Sequence, residues 1–145
     1  MDNALKIYTD GGARGNPGPA ASAYVVIEDS KVIHKDAKYL GVKTNNEAEY
    51  EAVIMALNWL QDNKAEVIKK EIIFNLDSEL VTRQIIGQYK VKSNNLINYN
   101  LKIKNIEKLL GIKLKFISVK RENNKLADSL VNKILDEKKN GFTSE

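Results

Sequence analysis

The sequence predicts an α/β protein with a mixed five-stranded sheet and helices on both faces, in the order βββ-α-β-α-α-β-α. Three segments in the first 40 residues alternate apolar and polar residues, as an antiparallel meander does. Two short apolar runs, residues 71–77 and 112–119, lie between stretches of helical periodicity, which is typical of strands covered on both sides. At 145 residues the chain fits one domain over residues 1–145.

The opening strands are indicated by alternation and by one turn. Residues 5–9, "LKIYT", form the first strand, and "AASAYVVIEDSKVIHKDAKYL" reads as two more strands joined at Asp29 and Ser30. Between them, "YTDGGARGNPGPA" at residues 8–20 contains more Gly and Pro than a chain reversal requires. This excess indicates that the segment does more than turn the chain.

Helices are predicted where apolar residues recur every three or four positions. The first covers residues 46–63, with an N-cap supplied by the Thr44-Asn45-Asn46 segment, and a short one covers 78–86. A third, over 96–110, is closed by Gly111 as the residue after the helix. The last covers residues 123–139, and the tail over 138–145 is expected to fray.

Composition excludes several classes of protein. The chain has no cysteine, which rules out disulfides, zinc–thiolate sites and a thiol nucleophile. It shows neither a signal-peptide pattern nor an apolar run long enough for a membrane span, so the expected compartment is the cytoplasm. Nothing in the sequence signals an oligomer, and a monomer is expected.

Charge is divided unevenly along the chain. Residues 1–77 carry 9 Lys and Arg against 12 Asp and Glu, whereas residues 78–145 carry 14 against 7. Such a basic half is either a solvated helical surface or a surface that binds a polyanion. Charge alone does not choose between the two.

Four acidic residues are the candidate functional groups. Asp10 and Asp77 each end a predicted strand, where one such residue would be ordinary turn chemistry. Glu49 and Asp128 fall on the apolar stripes of their helices, where a carboxylate is costly unless it is compensated. Four acids at one sheet edge repel one another unless a divalent cation lies among them, and all-oxygen ligands suit Mg²⁺ or Mn²⁺.

These acids stand in segments that closely resemble the type 1 ribonuclease H family: "TDGGARGNPG", "TNNEAE", "NLDS" and "RENNKLADSL". The four segments occur in the family's order over about residues 5–135. The resemblance implies the ribonuclease H-like fold and cleavage of the RNA strand of RNA–DNA hybrids, leaving 5′-phosphate and 3′-hydroxyl ends. It also implies that Asp10, Glu49, Asp77 and Asp128 form the catalytic cluster, as ligands of two Mg²⁺ ions, with Mn²⁺ as an alternative.

The resemblance also implies a set of substrate-binding residues. A glycine-rich loop starting at Gly11 would let backbone amides approach a nucleic-acid strand closely. Asn16, Asn45 and Asn46 would face the minor groove of the hybrid, where donors can read a 2′-hydroxyl, and Thr44 would help to hold a DNA phosphate. Helix capping alone remains the other interpretation of Asn45 and Asn46.

Two departures from the family pattern stand out. Many members carry a His in the loop before the last acid, whereas this loop, "SVKRENN", has none, and Arg121 is the nearest candidate for a purely electrostatic role. His34, the one His of the chain, is expected on the surface of the third strand.

The second departure is the short segment "GQYKVKSNN", which stands where some members have a basic, Trp-bearing protrusion. Tyr89 would stack there while Lys90 and Lys92 meet phosphates, and Trp59 is expected in the core. The short segment leaves double-stranded RNA open as a second substrate.

Two other functions compete with catalysis. One is an inactive or retargeted relative that binds nucleic acid without turnover, against which the presence of all four acids argues. The other is a small-molecule or protein-binding domain with purely structural acids, which would require neither the Asn-Asn-x-x-Glu segment nor a basic second half.

Overall fold

The computed structural model describes residues 4–141 and contains the mixed sheet predicted from the sequence. The strands are β1 (Ala4–Ala13), β2 (Gly18–Glu28), β3 (Lys31–Lys43), β4 (Glu71–Leu76) and β5 (Leu114–Ser118). Their order across the sheet is β3-β2-β1-β4-β5. The β1–β2 and β2–β3 pairs are antiparallel, and the β1–β4 and β4–β5 pairs are parallel.

Helices cover both faces, as predicted. They are α1 (Asn45–Asp62), α2 (Lys64–Val67), α3 (Glu79–Ile85), α4 (Asn94–Leu110) and α5 (Lys125–Lys139). The four-residue α2, too short for a periodic signal, was not predicted, and neither was the 3₁₀ turn at Arg121–Asn123 that precedes α5. Within residues 4–141, no helix combines the length and apolar character needed to cross a membrane.

The core is divided by the sheet. The larger cluster lies between the sheet and α1, α3 and α4, and it includes Phe74 and Phe116, stacked with ring centroids 4.8 Å apart. A smaller cluster packs Val131 and Leu135 of α5 against Ala21 and Ala23 of β2. The small alanines let α5 lie close to the sheet on this side.

Turns and caps follow the local sequence. Asp29 and Ser30 both have positive φ angles, 52° and 65°, as a tight β2–β3 hairpin requires. The Thr44 hydroxyl accepts a hydrogen bond from the Glu47 amide, and the Glu47 carboxylate accepts one from the Thr44 amide. The two bonds complete a capping box and confirm the predicted N-cap. Gly111 ends α4 with a φ of 64°, also as predicted.

Two aromatic predictions need correction. His34 is half-buried rather than at the surface, because its ring lies 5.2 Å from Trp59 in a parallel stack and its Nε2 is 2.9 Å from the Tyr24 hydroxyl. Trp59 packs against the larger core from its edge and is only half-buried. Alternation placed His34 on a strand but did not reveal the helix side chain that covers it.

The C-terminal helix ends where the sequence predicts, but its last residues overlap the segment predicted to fray. α5 continues to Lys139, two residues into the segment predicted to fray, and Lys138 lies 4.7 Å from the centre of the Tyr39 ring. The remaining part of that prediction falls on residues 142–145, which lie outside the described residues.

The glycine-rich segment is the largest difference from the predicted fold. β1 continues through Asp10 to Ala13, so Gly11 belongs to a strand and not to a loop. Gly11 is buried, and a Cβ atom on it would lie 2.2 Å from the Ala48 carbonyl carbon and oxygen in the first turn of α1. The missing side chain therefore lets α1 rest directly on β1.

We predict that Gly11→Ala destabilises the fold by about 3 kcal/mol, because backbone atoms must move to admit the methyl group. Gly12→Ala is the matched control, since its Cβ would meet only a Val131 methyl group at 3.9 Å. Urea unfolding of both variants measures the difference. Equal stability of the two would contradict this packing role for Gly11.

Candidate active site

The site begins where β1 and β4 part. Their last paired residues are Thr9 and Leu76, and the acids Asp10 and Asp77 follow immediately. β1 does not end there, because Asp10 continues the ladder with Ala23 of β2. The prediction that Asp10 ends its strand was therefore wrong, although the β1–β4 pairing does stop just before it. Two carboxylates are thereby fixed at a point of divergence in the sheet.

Glu49 reaches the same point from α1. The close approach of α1 to β1 lets the Gly11 amide donate a 3.0 Å hydrogen bond to Glu49 Oε1. The other oxygen, Oε2, is buried and has no hydrogen-bond partner among the described residues. The structure thus gives the Gly11 amide a partner inside the protein, which corrects the expectation that it approaches substrate from an open loop.

Three of the four predicted acids come together. Asp10, Glu49 and Asp77 each offer a carboxylate oxygen, and the three atoms lie within 4.8 Å of one another. Asp128, in the first turn of α5, is half-buried and lines the same cleft of about 470 Å³. The structure therefore places the fourth acid beside the cluster of three.

Burial and mutual repulsion shape the protonation of this cluster. Burial, followed by the charge of Asp77, raises the pKa of Asp10 from 3.8 to about 7. Burial also raises the pKa of Glu49 well above its usual value, with the charges of Asp10 and Asp77 adding to the effect. A carboxylate cluster with raised pKa values binds protons readily when no cation is bound.

The donor set fits a hard divalent cation. Carboxylate oxygens are the ligands that Mg²⁺ and Mn²⁺ accept, and a bound cation would supply the missing partner of Glu49 Oε2. A cation would also offset the repulsion that raises the two pKa values. Asp10, Glu49 and Asp77 would hold it, with Asp128 at the edge of the same cleft.

Asn16 and Asn45 form a hydrogen-bonded chain beside the cleft. The Ala13 amide donates to Asn45 Oδ1 at 2.8 Å, and the Asn45 amide donates to Asn16 Oδ1 at 3.0 Å. Both side chains are exposed, and within residues 4–141 their Nδ2 groups have no acceptor. The backbone thus fixes both amide groups and leaves their two Nδ2 groups, each with two N–H donors, on the exposed side chains.

The other residues predicted to contact substrate lie at the start of α1, in the cleft and on the segment between α3 and α4. Thr44 caps α1, whereas Asn46 is half-buried and lines the cleft, with no side-chain hydrogen bond to another described residue. Arg121 is exposed in the 3₁₀ turn and lines the same cleft. Tyr89 is exposed, and the Arg83 guanidinium lies 5.3 Å from the centre of its ring.

Sequence reasoning missed Asn124. This residue is 1% exposed, and its Nδ2 donates to the Thr9 carbonyl at 2.8 Å and to Asp77 Oδ2 at 3.3 Å. The available signal was an Asn four residues before Asp128, which resembles an ordinary helix cap. Its side chain caps no helix, however, and is directed to the acid cluster instead.

A mixed sheet with carboxylates gathered where its central parallel strands part defines a ribonuclease H-like α/β domain. The RNase H family model matches residues 2–135, and the chain belongs to this family. The resemblance found in the four sequence segments is thereby confirmed.

Curated relatives extend beyond the part of their length that the chain matches. The chain is 35% identical over 132 residues to ribonuclease HI of Halobacterium salinarum. The aligned residues make up 90% of this chain and 63% of that protein. It is 33% identical to the bifunctional protein Rv2228c of Mycobacterium tuberculosis, covering 90% of the chain and 35% of the relative.

Two solved structures of a relative match the chain over nearly their full length. LC11-RNase H1, isolated from compost, has a TM-score of 0.89 and 43% identity, covering 93% of this chain and 97% of that one. The same protein in complex with an RNA/DNA hybrid has a TM-score of 0.84, with 89% of this chain and 94% of that one covered.

We predict that Asp10→Asn stabilises the metal-free protein at pH 8 by on the order of 1 kcal/mol, because it removes one repelling charge. The folded pKa of Asp10 exceeds the unfolded value, so the charged carboxylate destabilises the fold increasingly from pH 4 to pH 7. The gain should therefore be largest above pH 7 and vanish below pH 4.

Thermal unfolding in EDTA across this pH range, with Glu71→Gln as an exposed-acid control, measures the effect. Millimolar Mg²⁺ should shrink the gain, because the cation binds the unsubstituted cluster more strongly. A destabilised Asp10→Asn protein at pH 8 in EDTA would show that Asp10 stabilises the fold instead.

Proposed function

We propose that this chain is a metal-dependent endonuclease that hydrolyses the RNA strand of RNA–DNA hybrids and leaves 5′-phosphate and 3′-hydroxyl ends. The observation that carries the proposal is the convergence of Asp10, Glu49 and Asp77 in a chain of the RNase H family. A protein 43% identical to it binds an RNA/DNA hybrid, which supports the same substrate here.

The acid cluster supplies the chemistry by holding Mg²⁺, with Mn²⁺ as an alternative. Two such ions would activate a water for in-line attack on the phosphorus and stabilise the 3′ oxygen as it leaves. The protein's part is to keep Asp10, Glu49 and Asp77 close at a fixed spacing, with Asp128 completing the set. All four acids are present, which disfavours an inactive binding module.

Selection of RNA would depend on the outward amides near the cleft. Asn16 and Asn45 each use the side-chain oxygen inside the protein and present Nδ2 to the outside, so they can donate to a 2′-hydroxyl oxygen. DNA offers no acceptor at that position. Asn46 lines the same cleft as Asn45 and the acids, and it would contact the same groove.

The other strand would be held by the α1 N-terminus and the basic half. Thr44 caps α1 by accepting from the Glu47 amide, and its hydroxyl can still donate a hydrogen bond to a phosphate oxygen. Tyr89, Lys90 and Lys92 are exposed on the segment between α3 and α4, where they can contact the DNA backbone. Because this segment is short, double-stranded RNA is proposed as a weaker second substrate.

Arg121 is assigned to an electrostatic contact with the scissile region, since it lines the cleft that holds the acids. The proposal further includes a monomeric state and a cytoplasmic location. Size-exclusion chromatography with light scattering and cell fractionation test these two parts.

The direct test is cleavage of a hybrid labelled on either strand, in Mg²⁺ and in Mn²⁺, with EDTA as the chelator. We expect cuts in the RNA strand alone, abolished by EDTA and by Asp77→Asn, while the exposed-acid variant Glu71→Gln stays active. Sensitivity of the products to a 5′-phosphate-dependent exonuclease establishes the ends. Absence of chelator-sensitive cleavage in both metals would refute the proposal.

We predict that Arg121→Ala lowers turnover about tenfold, equivalent to roughly 1.4 kcal/mol in the barrier, because one cationic contact is lost while the acids stay in place. Arg121→Lys should keep most of the activity, and Lys31→Ala in the distant β2–β3 hairpin is the charge-matched control. Steady-state kinetics on one hybrid gives the comparison. A loss as complete as that of Asp77→Asn would instead make Arg121 indispensable to the chemistry.

A further inference from the structure

Asn124 connects three structural elements at the acid cluster. It lies between the 3₁₀ turn and α5, and its side chain is almost completely buried. Its Nδ2 donates to the Thr9 carbonyl in β1 and to Asp77 Oδ2 after β4, and its backbone carbonyl accepts from the Asp128 amide at 3.1 Å. One residue therefore contacts Asp77, Asp128 and the residue before Asp10.

The orientation of the Asn124 amide is set by its partners. A backbone carbonyl and a carboxylate both accept hydrogen bonds, so the group between them must be the N–H₂ end. The two donated bonds point to β1 and β4, the strands that part at this place. Because the bond to Asp77 fixes rotation of that carboxylate, it also sets the direction of its other oxygen.

The opposite end of the amide shows that this arrangement has a cost. Asn124 Oδ1 is buried and has no hydrogen-bond partner within residues 4–141. A buried acceptor without a partner is unfavourable, so an apolar side chain of similar size could fill the same space without that penalty. The feature that only the amide provides is its N–H₂ group, which binds the Thr9 carbonyl and Asp77.

We propose that Asn124 is a positioning residue that holds the Asp77 carboxylate in place for metal binding relative to Asp10. The activity measurement that tests this inference rests on the proposed function, whereas the measurement of metal binding does not. Removing a residue that orients a metal ligand in this way commonly lowers metal affinity or activity by about ten- to a hundredfold.

The test uses Asn124→Leu, which keeps the branched shape of the side chain but has no amide, and Asn124→Ala, which removes the side chain beyond Cβ. In both we expect the half-saturating Mg²⁺ concentration to rise about tenfold and kcat to fall about tenfold, with KM for the hybrid unchanged. Asn123→Ala is the matched control, because that neighbour is exposed and makes no side-chain hydrogen bond within the described residues. Titration calorimetry with Mn²⁺ measures metal affinity independently of turnover.

The outcomes separate the two claims. If the unsubstituted protein fails to cleave hybrids, the proposed function fails, while weaker Mn²⁺ binding by the variants would still support the positioning role. Folded variants with unchanged Mn²⁺ affinity and unchanged kcat would overturn that role. Loss of the folded state in both variants would also overturn it, because Asn124 would then serve the fold rather than the site.

Discussion

Repulsion among closely spaced carboxylates is the constraint on which the rest of this structure depends. Asp10, Glu49 and Asp77 are held with oxygens within 4.8 Å of one another, and the pKa of Asp10 rises to about 7 as a result of burial and neighbouring charge. Groups that disfavour each other stay together only because the surrounding packing keeps them there. A divalent cation would convert this unfavourable cluster into a set of ligands.

The packing that holds the cluster consists of few contacts. Parallel pairing of β1 with β4 brings Asp10 and Asp77 to the same level, and the absence of a side chain at Gly11 lets α1 deliver Glu49. α5 approaches the opposite side of the sheet over small alanines and brings Asp128 to the cleft. The site is therefore built from rigid elements, which suits chemistry that needs fixed ligand spacing.

The residues proposed for recognition and those proposed for chemistry lie on the same elements. The chain of hydrogen bonds from Ala13 through Asn45 to Asn16 connects the end of β1 to the start of α1 and to the β1–β2 connection. The same strand carries Asp10, three residues before its last residue, Ala13. Groups suited to reading a 2′-hydroxyl are thus fixed to the scaffold that holds the acids.

The sequence by itself determined the order of the strands and of the longer helices, the Thr44 cap and the Gly111 helix end, since all of these depend on neighbouring residues and periodicity. It also singled out four acids as candidates, and the structure brings three of them together. It could not show that β1 continues past Asp10, because strand pairing with β2 outweighs the local preference of glycine for turns. Nor could it show that Asn124 reaches Thr9, 115 residues away. Only the tertiary structure decides such contacts, because they depend on how distant segments pack together rather than on local sequence.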